Sequence, residues 1–404
     1  MSRLRFAALV VAASALSACQ DPAGVGLGLI DEEGADPSTR AVFVSSLDTI
    51  RATATPIGFA NPNDTPHQPR FLIGDVTDPV FGDVEAIAYV DVVQPASVDA
   101  EAGDVRQVWL ELRRDYVYGD TTTVLPVALR QVNPTPSWSA SPSYPADTTF
   151  ATGDVLATST LSVAPADTVV RFDLPEAWVT ANAATLVGDD FSTAFEGFAL
   201  EVADGAPAPG AVFGFSTLAT RGSLLRIATA EDTLGYALQE VFTSMQREDP
   251  VATPPSLLSA RAYANGGIRF EVDFGPVGPL PVAQGSLSLP LDRSVAEEGA
   301  FVRPIATRSG LFGVREADSL RAFLGEVIVD TSGDARTINT SGLTPTIQQI
   351  LLGDESYERF EIVPAVSGLA PLIPVSLDIL PVLNPTDPEA GPRFTLTVIG
   401  QPST

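Results

Sequence analysis

Apolar and polar residues alternate along many short stretches of this chain, which is the pattern of strands that bury one face. Residues 108–112 alternate around three apolar positions, and residues 287–291 repeat the pattern in the second half. Turn-forming residues separate such stretches, with 32 glycines and 34 prolines among 404 residues. This composition favours many short strands over long helices.

Helical spacing of apolar residues is found in three places. Residues 231–247 carry apolar side chains three and four positions apart, with Asp232 as a candidate N-cap and Pro250 beyond the end. This stretch predicts an amphipathic helix. Pro175 and Pro345 each start a shorter helical pattern, since proline is tolerated in the first turn of a helix.

The order strand, proline-started helix, strand occurs in both halves of the chain. Phe172 and Phe198 flank the first short helix as Ile338 and Phe360 flank the second. The sequence therefore predicts an all-β fold with a few short helices, built as two β-sandwich, jelly-roll-like units related by duplication. Chance recurrence in a strand-rich chain is the alternative.

The N-terminal residues have the order of an export signal: two arginines, an apolar stretch of about 11 residues, and small residues before the single cysteine. The stretch is too short to span the ~30 Å of hydrocarbon as a helix. Leu16, Ser17 and Ala18 ahead of Cys19 resemble the lipobox of bacterial lipoproteins. An ordinary secretory signal with an incidental free cysteine is the alternative.

The lipobox resemblance implies cleavage before Cys19, a diacylglyceride thioether on its sulfur and an acylated amine, with palmitate as an acyl group. Two or three acyl chains make release from a bilayer very slow, since each buried methylene contributes roughly 0.8 kcal/mol. Gln20 stands where an aspartate retains some lipoproteins at the inner membrane, which implies the outer membrane. The face, periplasmic or cell-surface, stays open.

These patterns divide the chain into five segments. They are a lipoprotein signal peptide at 1–18, a lipidated flexible tether at 19–45, a first β-sandwich unit at 46–247 ending in the amphipathic helix, a proline-rich linker at 248–257 and a second β-sandwich unit at 258–404. The tether and the linker are assigned from their glycine, proline and acidic content.

The chain is strongly acidic, with 50 acidic residues against 23 basic ones and a formal net charge of −27. All the basic residues are arginine. We expect no nucleic-acid partner and no electrostatic adhesion to anionic lipid, since both need clustered basic residues. The acidity suits a high-salt habitat, although the bias towards alanine, glycine, proline and arginine also fits a GC-rich genome.

The residue types of common catalytic sites are scarce. His67 is the only histidine, in a proline-flanked loop, and there is no lysine. A zinc site, lysine chemistry and a Gly-Lys-Ser/Thr phosphate loop each need residues that the chain lacks. A serine–histidine–aspartate triad would have to use His67 as its base, and a solvated loop histidine is the alternative interpretation of this residue. We therefore expect a non-enzyme. A carboxylate-dependent polysaccharide hydrolase is the alternative, because acid pairs are abundant.

Calcium is the one cofactor for which the sequence offers candidate ligands, at Asp75, Asp78 and Asp83. No EF-hand spacing is present, and ordinary turn capping by aspartate explains the same residues. We expect no other metal or cofactor.

Aromatic residues near turns offer a surface for stacking on sugar rings. Trp109 lies on the strand face opposite Val108 and Leu110. Four more candidate rings are Tyr116, Tyr118, Trp138 and Tyr144. The alternative is that a second layer covers Trp109 and that Trp138 anchors its own loop.

Several short motifs together resemble one family. They are Gly-Leu-Gly-Leu-Ile at 26–30, Asp-Thr at 48–49, Gly74 ahead of Asp-Pro-Val-Phe-Gly at 78–82, Tyr-Gly-Asp-Thr-Thr at 118–122 and Phe-Glu-Gly-Phe-Ala-Leu at 195–200. The chain resembles a domain-of-unknown-function family of outer-membrane lipoproteins from Gram-negative bacteria with surface polysaccharide-uptake systems. The resemblance implies location and a β-rich fold, and supplies no catalytic residues. The chain departs from that pattern in lacking lysine and having few tyrosines.

Taken together, the sequence predicts a protein that the lipid anchor fastens to the outer membrane and that binds or scaffolds a carbohydrate or an envelope protein. Two other functions stay open. One is the carboxylate-dependent hydrolase, and the other is a passive envelope or adhesion component.

Overall fold

The computed structural model describes most of the chain between residues 37 and 400. The described residues are 37–50, 54–56, 58–59, 70–133, 137–138, 141, 143–163, 169–206, 210–217, 223–248, 257–261, 266–328, 337–339, 343–363, 375–383 and 391–400. Several predicted features lie outside them, namely Leu16, Ser17, Ala18, Cys19, His67 and most of the linker, 249–256.

These residues form 25 strands. Up to residue 247 they are β1 (Pro37–Ile50), β2 (Ala54–Pro56), β3 (Gly58–Phe59), β4 (Arg70–Asp78), β5 (Gly82–Val93), β6 (Gln107–Asp120), β7 (Val124–Val132), β8 (Ser143–Pro145), β9 (Thr152–Ser162), β10 (Val169–Asp173), β11 (Phe198–Val202), β12 (Gly210–Ser216), β13 (Leu224–Ala228) and β14 (Thr233–Arg247). The remainder are β15 (Leu257–Arg261), β16 (Gly267–Val272), β17 (Val282–Pro290), β18 (Glu297–Glu298), β19 (Phe301–Val302), β20 (Arg308–Arg315), β21 (Arg321–Ile328), β22 (Thr337–Asn339), β23 (Tyr357–Val363), β24 (Ile379–Leu383) and β25 (Arg393–Ile399).

Three short α-helices accompany the strands in the described residues: α1 (Glu176–Val187), α2 (Phe191–Ala194) and α3 (Thr344–Leu352). α1 begins directly after Pro175, and α3 has a proline in its first turn, as predicted. Gly353 ends α3 in the left-handed conformation, which glycine adopts without steric cost. The prediction of an all-β fold with a few short helices is confirmed.

Two large antiparallel sheets carry the architecture. One has eight strands, and the other has thirteen. Eight strands of the larger sheet repeat the topology of the smaller sheet, which means that strands at the same place in the two sheets also follow the same order along the chain. In the larger sheet these strands have the order β9-β7-β11-β5-β4-β12-β6-β10, and the smaller sheet has the order β21-β20-β23-β16-β1-β25-β17-β22. We call these two sets, with the helices between their strands, the first unit and the second unit.

The hydrogen-bonding registers of the two units also correspond. Phe198 pairs with Val90 in the first unit as Phe360 pairs with Phe270 in the second. Phe172 pairs with Leu110, and residue 338 pairs with residue 289 in the same way. The repeated strand–helix–strand plan predicted from the sequence is therefore present in both sandwich-like units.

The first unit is inserted into the second. β1 lies between β16 and β25 in the smaller sheet, although the whole first unit separates it from β16 along the chain. Residues 37–50 therefore belong to the second unit, which corrects the predicted boundaries at 45 and 46. The local sequence did not show this, because the identity of the neighbours of β1 depends on contacts that are distant in sequence.

The predicted helix at 231–247 is wrong, because these residues form the strand β14. β14 pairs with β5 and has a register shift between Leu238 and Val241. That bulge places both side chains in the same core although they are three residues apart. Beyond it, residues 241–245 are buried on both faces. Apolar residues on two faces of a bulged strand gave the spacing of a helix.

Gly74 marks the place where the first unit folds over. Pairing of β4 with β5 ends at Gly74, β4 continues along β12, and β11 takes the next positions on β5. Gly74 has φ +142°, and a Cβ there would lie 2.3 Å from the Ala211 carbonyl oxygen. Only glycine fits this close crossing of two backbones.

Each unit encloses its own apolar core, and a third cluster joins them. This junction core takes side chains from β4, β5, β6, β12 and β14 and from the chain leading into β24; its fully buried members are Leu72, Val76, Phe81, Val84, Ala86, Tyr116, Tyr118, Val212, Met245, Val375, Leu377 and Ile379. β19 also pairs with the end of β6. The chain leading into β24 continues into Leu380 and Val382, which lie in the core of the second unit, so this segment connects the first unit to that core through a buried contact.

Candidate functional site

A buried ion pair lies in the junction between the units. Asp78 ends β4 and accepts hydrogen bonds from the Val80 and Phe81 N–H groups at 2.8 and 3.1 Å, as its predicted position at the start of a turn requires. The Arg303 guanidinium donates to both carboxylate oxygens at 2.8 and 3.0 Å. The Tyr118 hydroxyl donates a further bond. Neither charged side chain has any solvent-exposed surface.

Hydrogen bonding decides the ionisation of this pair. Burial alone would raise the pKa of Asp78, but the bonds from Arg303, Tyr118 and Val80 outweigh it and hold the pKa below its ordinary value. Burial would likewise lower the pKa of Arg303, and Asp78 raises it. Both groups are therefore charged, and the buried ion pair holds the end of β4 against the segment that contains Arg303.

The calcium expectation is wrong for Asp78, because Arg303 occupies both of its oxygens. Asp75 and Asp83 remain near each other, and burial, Glu85 and Asp83 raise the pKa of Asp75. In the part of the chain that the structure describes, no group of three or more histidine, cysteine, aspartate or glutamate side chains could hold a metal ion.

Three of the five predicted stacking rings are buried, which corrects that expectation. Tyr116 accepts a hydrogen bond from the Leu377 N–H at 3.0 Å, and Tyr118 is bound to Asp78. The Trp138 indole donates to the Glu196 carbonyl at 2.8 Å. Rings near turns in the sequence thus lie in the interior, where their polar atoms bind the backbone or a carboxylate.

The other two rings, Trp109 and Tyr144, are half-buried and lie apart. The Arg171 guanidinium covers Trp109, 4.1 Å from the ring centroid. Tyr144 packs edge-on against Phe150 and Phe242 at 5.0 and 5.8 Å. The five predicted rings therefore do not form one binding surface.

An open groove lies instead at one end of the second unit. Its volume is about 470 Å³, within the roughly 300–1,000 Å³ of ligand sites. It is formed where the end of β16, the end of α3 and the start of β23 meet. Its lining residues are Val272, Asp273, Phe274, Gly275, Gly278, Pro279, Glu316, Ile350, Leu351, Gly353, Glu355, Ser356, Tyr357 and Phe360.

The floor of this groove is apolar, and its rim is acidic. Phe274 and Phe360 are buried in the floor, with their ring centroids 6.3 Å apart. Asp273 and Glu316 are exposed at the rim, and the half-buried Glu355 accepts a 2.5 Å hydrogen bond from the Tyr357 hydroxyl. Burial, followed by this bond to Glu355, raises the pKa of Tyr357 to about 12. Tyr357 is therefore a neutral ring beside a carboxylate.

The first unit differs from the second in the segment that follows its helix. Between the helix and the next strand, the segment from Gly188 to Phe198 is longer than the one from Gly353 to Phe360, and the additional residues form α2. Phe191 of α2 packs 5.2 Å from both Phe195 and Tyr236. This segment thus carries packed aromatic rings in the first unit, whereas in the second unit it contributes to the lining of the groove.

The lining of the groove offers contacts that suit a bound ligand. Its side chains supply apolar contact, one tyrosine ring, one serine hydroxyl and three carboxylates. Sequence reasoning missed it because its residues come from three separate stretches. The one signal was the shorter segment between α3 and β23, which needs the repeat alignment to be noticed.

Comparisons with known proteins give this site no precedent. No family model matches the chain, and no curated protein matches it. Among the described residues, no helix is long and apolar enough to cross a membrane. The geometry of the groove therefore carries the functional argument.

Proposed function

We propose that this protein is a lipid-anchored outer-membrane protein that binds or scaffolds an envelope component, a carbohydrate or a protein, through the groove of its second unit. The observation that carries the proposal is the open groove in one of two units with the same strand order. Its apolar floor and acidic rim suit recognition. The lipobox resemblance of residues 16–19 supports the anchor, and the proposal requires no cofactor.

The anchor is tested by Cys19→Ser in the native host. We expect the wild-type protein to incorporate labelled palmitate and to partition into the detergent phase of a Triton X-114 extract. The Cys19→Ser variant should lose the label and leave the detergent phase. A variant that stays in the detergent phase as firmly as the wild type would contradict a lipid anchor.

The groove is tested with the chain from residue 20 to 404, which keeps every described residue. Glycan arrays and pull-downs of envelope proteins should retain at least one partner. Ser356→Trp, which places an indole on the groove, should abolish retention. Phe323→Ala is the control, because this exposed ring of the second unit does not line the groove. Retention unaffected by Ser356→Trp would contradict binding in the groove.

A related assay addresses the alternative hydrolase. Release of reducing ends from a polysaccharide, lost on substitution of a single aspartate or glutamate, would favour that function over binding.

A further inference from the structure

The groove has the electrostatics of a site for a positive charge. Asp273, Glu316 and Glu355 contribute three carboxylates, and no arginine, lysine or histidine is among the lining residues. One cation lies next to the lining, since Arg315 interacts with the Tyr357 hydroxyl. The whole chain, at −27, repels anionic ligands and attracts basic ones before contact.

The backbone of α3 adds negative potential to the groove, independently of these side chains. The groove lies at the C-terminal end of α3, where Ile350, Leu351 and Gly353 form part of the lining. The carbonyl groups of the last helical turn give this end a partial negative charge, which favours cations. The backbone and the rim therefore select for the same kind of group.

The floor fits an apolar stem beneath that charge. The phenyl rings of Phe274 and Phe360 and the aliphatic side chains of Ile350 and Leu351 form a surface for methylene groups. Tyr357 offers its half-exposed ring, on whose face a guanidinium or ammonium is stabilised. Arginine and lysine side chains combine such a stem with a charged end.

A neutral sugar fits less well, because its hydroxyls need donors as well as acceptors in the site. The Tyr357 hydroxyl already donates to Glu355. Ser356 is the other lining residue with a side-chain hydroxyl. The groove is thus rich in acceptors and poor in donors, which matches a cationic ligand.

We propose that the groove binds a basic segment of a protein partner, with an arginine or lysine stem on the aromatic floor and its charged end among Asp273, Glu316 and Glu355. This inference rests on the proposed binding function and names the chemistry of its partner.

The test is a selection of random heptapeptides displayed on phage, using the chain from residue 20 to 404. The groove variant for counter-selection is Asp273→Asn/Glu316→Gln/Glu355→Gln. The matched control is Asp99→Asn/Asp147→Asn/Asp154→Asn, which removes three exposed carboxylates from the first unit. Circular dichroism and tryptophan fluorescence check that each variant is folded.

We expect the selected peptides to carry arginine or lysine beside apolar residues. A synthetic copy of the best peptide should bind the groove variant at least about tenfold more weakly, and the control variant with unchanged affinity. Citrulline in place of its arginine, or norleucine in place of its lysine, should weaken binding to a similar degree. High salt should weaken it as well.

Three outcomes separate the possibilities. Selected peptides without basic residues, or no enrichment over the groove variant, overturn the inference. A glycan that binds the wild type and is lost in Ser356→Trp also overturns it, while the proposed binding function stands. If the wild-type chain binds no peptide, no glycan and no envelope protein, both the inference and the proposed binding function are overturned.

Discussion

Asp78 joins three parts of the molecule through one carboxylate. It caps its own turn, it accepts a bond from Tyr118 on β6, and it pairs with Arg303 from the other half of the chain. The turn role was predictable from the Asp-Pro pair, because it depends on neighbouring residues. Arg303 was not, because it lies 225 positions away and no local pattern points to it.

Breaking this pair is expected to be costly. Arg303→Met should lower the free energy of unfolding by about 3–5 kcal/mol, since it leaves the Asp78 charge buried without its partner. Asp78→Asn in the same chain should recover much of that loss. Urea denaturation measures both.

An exposed pair provides the control. Arg269 and Asp48 have side chains about half exposed, so Arg269→Met should change the free energy of unfolding by less than about 1 kcal/mol. If Arg269→Met and Arg303→Met change the free energy of unfolding equally, the stabilising role of the buried Asp78–Arg303 pair is contradicted.

Whereas the pKa of Asp78 is lowered, the pKa of Asp91 is raised. Burial, together with Glu240 and Glu196, raises the pKa of its carboxyl group to about 7, although the Val92 N–H donates to it. The unfolded chain releases this proton near pH 3.8, so the folded state loses stability as pH rises from about 4 to 7.

We therefore predict that Asp91→Asn stabilises the protein at pH 8, by about 4 kcal/mol, and has little effect at pH 4. Urea midpoints of the variant and wild type at the two pH values give the difference. A stabilisation that is the same at both would contradict a titrating carboxyl at this position.

At the scale of elements, local patterns identified strands well and their partners poorly. The short helices after Pro175 and before Gly353 were predictable, because proline and glycine act within one turn. β14 was not, since its bulge and its two buried faces imitate helical spacing. The place of β1 in the second unit was hidden for a related reason, because strand pairing is decided by residues far along the chain.

Because β1 belongs to the second unit, a destabilising substitution in β1 is expected to affect the strands of that unit. Val42 is buried in the core of the second unit and pairs with Phe394. Val42→Asp should speed amide hydrogen exchange in β16, β17 and β25, because a buried charge without a partner opens that core. β7 and β9 of the first unit should stay protected.

Hydrogen–deuterium exchange with mass spectrometry measures both sets of strands. Val155→Asp on β9, at a side chain that is 43 % exposed, is the control and should alter exchange little. Faster exchange in β7 and β9 but not in β16 would contradict the assignment of β1 to the second unit.

For the whole molecule, the acidity was predictable directly from the composition, and most of the described carboxylates lie at the surface of the fold. Described arginines are largely paired with carboxylates, as in Arg70–Asp115 and Arg130–Glu201. Because acids outnumber bases by 50 to 23, the remaining carboxylates repel one another. The duplicated plan was predictable from alternation, whereas the groove was not, since it is a difference between the two units.

Salt is therefore expected to stabilise the protein. The urea midpoint should rise from low to molar NaCl as the repulsion between carboxylates is screened. Equal stability at all salt concentrations would remove this account and, with it, the argument for a high-salt habitat.

The insertion also sets an order of events during synthesis. A chain delivered from its N-terminus presents β1 first, then the entire first unit, and only afterwards the two neighbours of β1. The second unit can therefore close only when residues 393–399 have emerged and can pair with β1. Until then β1 is an unpaired strand that can join the wrong edge, so we expect factors that hold the nascent chain to protect this segment longest.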